Sequence, residues 1–179
     1  MVVVDADLRR PSLHGYFGLG NQVGLTSLLA DPDLNVGDVV QDTKYDGLRV
    51  VTSGPTSADP VALLKSPKIA GLIKQLESEY DLVLVDTPPM APLADGAVIA
   101  SQVGAAIMVV NPTSVQITGV KLALGNLEKA RAQVLGFIWN RVARGSISHY
   151  ARYERQCRSR AANQALGEMA PGSNNLAAD

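Results

Sequence analysis

The chain has 179 residues, 46% hydrophobic and 4% aromatic, with sixteen basic against seventeen acidic side chains and a formal charge of −1. That length fits one domain with a conventional core, and the apolar share argues against global disorder. No apolar run approaches the roughly 20 residues of a membrane-spanning helix, and a single cysteine, Cys157, leaves no intrachain disulfide or cysteine-based zinc cluster.

The start, MVVVDADLRRP, has acid where a signal peptide needs a basic region and a long apolar stretch. A reducing, cytoplasmic setting is expected.

In chain order, VVVD at 2–5 predicts a strand, and short helices follow near 24–30 and 36–42. LRVVTSG at 48–54 is the second predicted strand, followed by a short helix near 60–65. SPKIAGLIKQLESEY at 66–80 opens on Ser-Pro and repeats Ile69, Leu72, Ile73 and Leu76 at helical spacing. DLVLVDTPP at 81–89 predicts a strand, 93–102 a helix, AAIMVVN at 105–111 a strand, 115–131 a helix and LGFIWN at 135–140 the last strand. The apolar runs are mostly continuous, as in parallel strands covered on both faces. Strand–helix alternation of this kind predicts an α/β fold, a doubly wound, mostly parallel sheet with helices on both faces.

From about Arg141 the pattern fades. Positions 141–160 hold six arginines and one acid, a local +5, which leaves −6 on the remainder. A nucleic-acid-binding domain is more often basic overall or striped, so no nucleic-acid partner is expected. The division predicted is a domain over 1–142 and a basic, loosely ordered tail over 143–179.

Ligands of such sheets bind beyond the carboxyl ends of the strands. Two of those ends carry acids straight after an apolar run. Asp86 closes LVLVD, an expensive place for a carboxylate without a partner. It suits a magnesium ion beside nucleotide phosphates, or else a cap on the Thr87-Pro88-Pro89 turn. Asp5 and Asp7 leave the first strand at i and i+2, where two facing carboxylates repel unless a cation neutralises them. Magnesium prefers one or two carboxylates with water and phosphate oxygens. The other possibility is an acidic loop paired internally with Arg9 and Arg10. His14 and His149 have no metal-ligand spacing, and Ser53 and Ser57 lie in no nucleophile elbow.

Together these motifs resemble the bacterial protein-tyrosine kinases, P-loop enzymes of the MinD/ParA-like superfamily. Asp5, Asp7 and Arg9 look like their Walker A′ motif and Asp86–Pro89 like their Walker B. GLTSLLA at 24–30, DPVALLKSP at 59–67 and the closing GFIWNRV fall in the family's order, so the likeness covers about residues 1–142. It implies ATP and Mg²⁺ as cofactors. Asp5 would assist the metal and activate the attacking hydroxyl, Asp7 would contact the metal or the phosphate-binding lysine, and Asp86 would hold Mg²⁺ through water. Asn140 would meet the adenine, with Arg141 beside it, although Trp139 replaces the usual aliphatic residue. Asp59 and Ala62 depart from the Asn and Glu common in the family.

The resemblance further implies a tyrosine autokinase regulating capsule or exopolysaccharide synthesis. It would self-associate for phosphorylation between subunits, and Tyr150 and Tyr153 in the tail are the candidate acceptors. A membrane polysaccharide co-polymerase would be its partner, in the same chain or a separate one, placing the domain at the inner face of the plasma membrane. The alternatives are a MinD- or ParA-like ATPase of division or partitioning, and a non-catalytic module that keeps the fold.

One part is missing. Such an enzyme needs a glycine-rich loop ending Gly-Lys-Ser/Thr, whose backbone N–H groups cradle phosphates; no such string occurs in the 179 residues. The expectation is a chain truncated ahead of its Walker A′ strand, with the first strand and the P-loop upstream. By itself it would bind nucleotide weakly and have negligible kinase activity.

Overall fold

The computed structural model describes residues 1–90 and 95–142. They fall into two compact units, one within residues 1–110 and 115–138 and the other of residues 111–114 with 139–142. The elements are β1 (Val2–Asp5), α1 (Leu13–Phe17), α2 (Leu25–Ala30), α3 (Val36–Val39), β2 (Val40–Asp42), β3 (Arg49–Val51), α4 (Pro60–Leu64), α5 (Lys68–Glu79), β4 (Val83–Asp86), α6 (Asp95–Ala100), β5 (Ala106–Val110), α7 (Ile117–Lys129) and β6 (Val134–Trp139).

Four strands form one sheet in the order β2-β3-β1-β4, and β5 pairs with β6 in a second ladder. The central strand, β1, runs parallel to both neighbours. Val4 lies opposite Val51 of β3, and Val2 through Asp5 lie opposite Val83 through Asp86 of β4. The edge strand β2 is antiparallel to β3, with Val40 opposite Val51. The expected α/β class, with a mostly parallel sheet, is what the chain adopts.

One face of this sheet carries the main core. Val2 and Val4 of β1 meet Leu25, Leu28 and Leu29 of α2, Leu64 of α4 and the α5 stripe Ile69, Leu72, Ile73 and Leu76. The stripe is 0–5% exposed, as its 3–4 spacing dictates. Burying each such side chain contributes about 1.5–3 kcal/mol. A second cluster joins Ala100, Met108, Val110, Ala123 and Leu127, so α7 packs on the β5–β6 ladder.

Three features differ from the sequence expectation. The helix over 36–42 ends at Val39 and turns directly into β2, because Val40, Gln41 and Asp42 find ladder partners on β3 and Gln41 Nε2 donates to Thr52 Oγ1 at 3.1 Å. An additional short helix, α1, follows the acidic loop after β1. Alternate side chains of the last strands face solvent. Leu82 and Leu84 by β4, Ile107 and Val109 on β5, and Leu135 and Phe137 on β6 are 45–63% exposed. The continuous apolar runs had predicted cover on both faces; among the described residues, one face of these strands lacks it. The tail expected over 143–179 lies outside the described residues.

Candidate functional site

Parallel pairing of β1 with β4 brings two strand ends to the same level. Asp5 is the Cα partner of Asp86, and the Ala6 amide continues the ladder by donating to the Asp86 carbonyl at 2.8 Å. Two carboxylates thus leave one edge of the sheet together, as their positions after the apolar runs predict.

The two side chains meet different surroundings. Asp5 is fully buried. Its Oδ1 accepts the Asp7 amide at 3.2 Å, and its Oδ2 accepts the amides of Ser12 at 3.1 Å and Leu13 at 3.0 Å. Asp7 repeats the device on a smaller scale, its Oδ1 accepting the amides of Arg9 at 3.2 Å and Arg10 at 3.0 Å. Asp86 is exposed. Desolvation raises the Asp5 carboxyl above its ordinary 3.8, against the pull of the three amides, and Asp7 adds to the rise. Asp86 is raised as well, first by desolvation and then by the charges of Asp5 and Asp7, while the Thr87 amide pulls it down. These are carboxylates crowded at one edge, where a cation relieves the repulsion.

Among the described residues no three acidic, histidine or cysteine side chains converge as a ready-made metal cluster. Magnesium does not require one, since water and phosphate oxygens complete its shell. Hard oxygen donors whose protonation is favoured by mutual repulsion fit that ion.

A neighbouring polar lock went unread in the sequence. The Asn21 amide brackets Gly54, donating to its carbonyl and accepting its N–H, each at 2.9 Å. Ser53 Oγ donates to Asn21 Oδ1 at 3.2 Å, and Thr26 Oγ1 to the Pro55 carbonyl at 2.9 Å. The first amides of α2, Leu25 and Thr26, donate to the carbonyls of Thr52 and Ser53, each at 2.8 Å. Gly54 has φ +79°, a left-handed conformation that favours glycine. Ser53 is therefore spent on structure. The only sequence signal was a pair of glycines, Gly24 and Gly54, thirty residues apart.

Asn140 and Arg141 belong to the other compact unit. Both are exposed; Asn140 Oδ1 accepts the Arg141 amide at 2.9 Å, and Arg141 is left-handed at φ +57°. Trp139, before them, is 63% exposed. Arg9 and Arg10 are exposed beside the acidic loop. Asp59 caps α4, its Oδ1 accepting the Ala62 amide at 3.0 Å, so the two departures in that segment bond to each other. Tyr150 and Tyr153 lie outside the described residues.

No protein-family model matches the chain. Individual proteins do. It is 35% identical over 149 residues to the tyrosine-protein kinase ptk of Acinetobacter johnsonii, covering 83% of this chain and 20% of that one. It is 33% identical over 152 residues to the putative tyrosine-protein kinase CapB of Staphylococcus aureus, covering 85% and 66%. Among solved structures, the kinase domain of Escherichia coli tyrosine kinase ETK superposes with a TM-score of 0.76 at 34% identity, covering 80% of this chain and 56% of that one. The chain therefore spans between a fifth and about two thirds of the length of these relatives.

Proposed function

Because the chain belongs to the bacterial protein-tyrosine kinase family, we propose that its acidic strand ends form part of the MgATP site of a tyrosine autokinase. The reaction is transfer of the γ-phosphoryl of ATP to a tyrosine hydroxyl. The observation that carries this reading is the in-register pair Asp5 and Asp86 at the carboxyl ends of β1 and β4, the edge where such sheets bind ligands.

Asp86, exposed and raised by its acidic neighbours, is the group that would hold Mg²⁺ through water, with Asp7 contacting the metal or a phosphate-binding lysine. Bound Mg²⁺ supplies neutralisation of phosphate charge. Arg9, whose amide donates to Asp7, would contact a phosphate or a neighbouring subunit's acid. Asn140 and Arg141 would meet the adenine. The Gly-Lys-Ser/Thr phosphate cradle is not among these residues, so the reading concerns the acidic part of the site.

Tyr150 and Tyr153 are the proposed acceptors, phosphorylated between subunits. Each phosphate adds about −1.5 to −2 charge, enough for two to cancel most of the arginine excess around them. The process served is capsule or exopolysaccharide synthesis, with a membrane co-polymerase as partner. No helix among the described residues is long and apolar enough to cross a membrane, so attachment to the inner membrane face would run through that partner or a further segment.

The test is phosphotyrosine mapping on the full-length protein with MgATP. Phosphotyrosine and assembly that both change on combining Tyr150→Phe with Tyr153→Phe support the reading. Phosphotyrosine and assembly left unchanged by the double substitution refute it.

A further inference from the structure

We propose that Asn21 is a positioning residue: its carboxamide clamps the turn after β3 to the start of α2, and through α2 it fixes Ala6 and with it Asp7. This rests on the kinase reading only for what Asp7 does there.

The clamp is a set of reciprocal bonds. Asn21 Nδ2 donates to the Gly54 carbonyl and its Oδ1 accepts the Gly54 amide, each at 2.9 Å, and Ser53 Oγ donates to the same oxygen at 3.2 Å. The loop that carries Asn21 is stapled twice more. Gln41 Nε2 donates to the Gly20 carbonyl at 3.0 Å, and Thr52 Oγ1 to the Val23 carbonyl at 3.2 Å. Thr52 and Ser53 are 0–1% exposed, so these bonds are made where water competes little. Gly24, which caps α2, comes so close to the clamped turn that a Cβ would meet the Gly54 amide.

The first side chain of α2 carries that position to the acidic loop. Leu25 is fully buried and lines one small core gap together with Val4 and Ala6. Ala6 is fully buried, and Leu8, 3% exposed, belongs to the same core. Asp7 therefore stands between two buried neighbours, and a close-packed core passes on a displacement that it has no voids to absorb. Val4 lies opposite Val51 in the parallel ladder, so the chain leaving β1 and the clamped turn leaving β3 emerge side by side, about 4.8 Å apart. Asn21 bonds to Gly54 and Ser53 rather than to an acid, so it works through the turn and α2.

The experiment has two arms, each run on the wild type, Asn21→Ala and Asn21→Asp. One is amide hydrogen exchange on the 179-residue protein; the other is the Mg²⁺ dependence of tyrosine phosphorylation by ATP in the full-length protein. The reporters are the Gly54 amide, bonded to Asn21, and the Asp7 amide, bonded to Asp5 at 3.2 Å. The reference is the Ala106 amide of β5, which donates to the Gln133 carbonyl at 2.8 Å. Both reporters are expected to be protected in the wild type. In Asn21→Ala their protection falls about two- to tenfold, the net worth of a hydrogen bond, while Ala106 keeps its own. Asn21→Asp retains the acceptor for the Gly54 amide and lacks the donor, so it stands between the two. The Mg²⁺ concentration for half-maximal rate rises in the same order, by about tenfold in Asn21→Ala, as for groups that orient metal ligands.

Protection at Gly54 that is absent in the wild type, or unchanged in Asn21→Ala, overturns the clamp. Loss at Gly54 with Asp7 unchanged, an equal loss at Ala106, or an unchanged Mg²⁺ requirement overturns the positioning role. If Asn21→Ala does not fold, the wild type and Asn21→Asp carry the same comparison. Absence of phosphotyrosine from the wild type would sink the kinase reading and leave the exchange to judge Asn21.

Discussion

Asp5 and Asp86 are Cα partners at the ends of adjacent parallel strands, yet one is fully buried on three backbone amides and the other is exposed. Identical chemistry at one level of the sheet is thereby given two environments, and the charge of Asp5 acts on its neighbour. Four further consequences can be measured.

The first concerns pH. Both carboxyls titrate above the ordinary 3.8, so the folded chain binds these protons more readily than the unfolded chain. Their contribution to stability is fully present below about pH 3.8 and is lost as pH rises through the raised folded values. Asp86→Asn removes one of the crowded charges. It is expected to raise Tm at neutral pH, with the gap over the wild type closing as pH falls towards 3.8. A gap that widens on acidification would show the assigned sign to be wrong.

The second concerns the lock beside the site. A methyl group on Gly24 would run into the Thr52 carbonyl and the Gly54 amide, whereas Gly37 in α3 has no atom within 4 Å of its would-be Cβ. Gly24→Ala is expected to cost about 1–3 kcal/mol through overpacking against backbone. Gly37→Ala should be neutral or stabilising by up to about 1 kcal/mol, as in other helices. Urea denaturation of both variants distinguishes them; equal effects would mean that the close approach of the two loops is not rigid.

Much of this was legible in residue patterns, and the exceptions have physical causes. The α5 stripe could be read from Ile69, Leu72, Ile73 and Leu76 because helical spacing alone decides which face is buried. The acids at the ends of β1 and β4 were equally readable, since a charge terminating an apolar run is conspicuous. β2 was missed because no turn residue marks the Val39–Val40 boundary; only pairing with β3 divides it from α3. The three bonds of Asp5 were invisible because they join residues two, seven and eight positions away, a distance set by the folded loop. Continuous apolar runs in β4–β6 could not reveal that one face stays uncovered, because period and composition look the same either way.

That uncovered face supplies the third prediction. Leu84 on β4, and Ile107 and Phe137 on the paired β5 and β6, are 45–54% exposed, and exposed apolar surface promotes association. The purified 179-residue chain is expected to bind a hydrophobic dye such as ANS and to aggregate at high concentration. Phe137→Ser should lessen both with a stability change of about 0.5 kcal/mol or less, as for other surface positions. Undiminished dye binding together with a large loss of stability would place Phe137 in a core instead.

The fourth follows from the absence of a Gly-Lys-Ser/Thr string. Without a backbone cradle for the phosphates, residues 1–179 alone should bind ATP weakly and transfer phosphate negligibly, as read by calorimetry and radiolabel incorporation. Measurable autophosphorylation of this chain by itself would contradict the expectation.

The most direct test of the central claim is the initial rate of MgATP-dependent tyrosine phosphorylation in the full-length protein carrying Asp86→Asn, beside Asp46→Asn in the exposed turn between β2 and β3. Losing a group that stabilises phosphoryl transfer costs about a hundredfold or more. The account expects that loss for Asp86→Asn and the wild-type rate for Asp46→Asn; a wild-type rate in Asp86→Asn would contradict it.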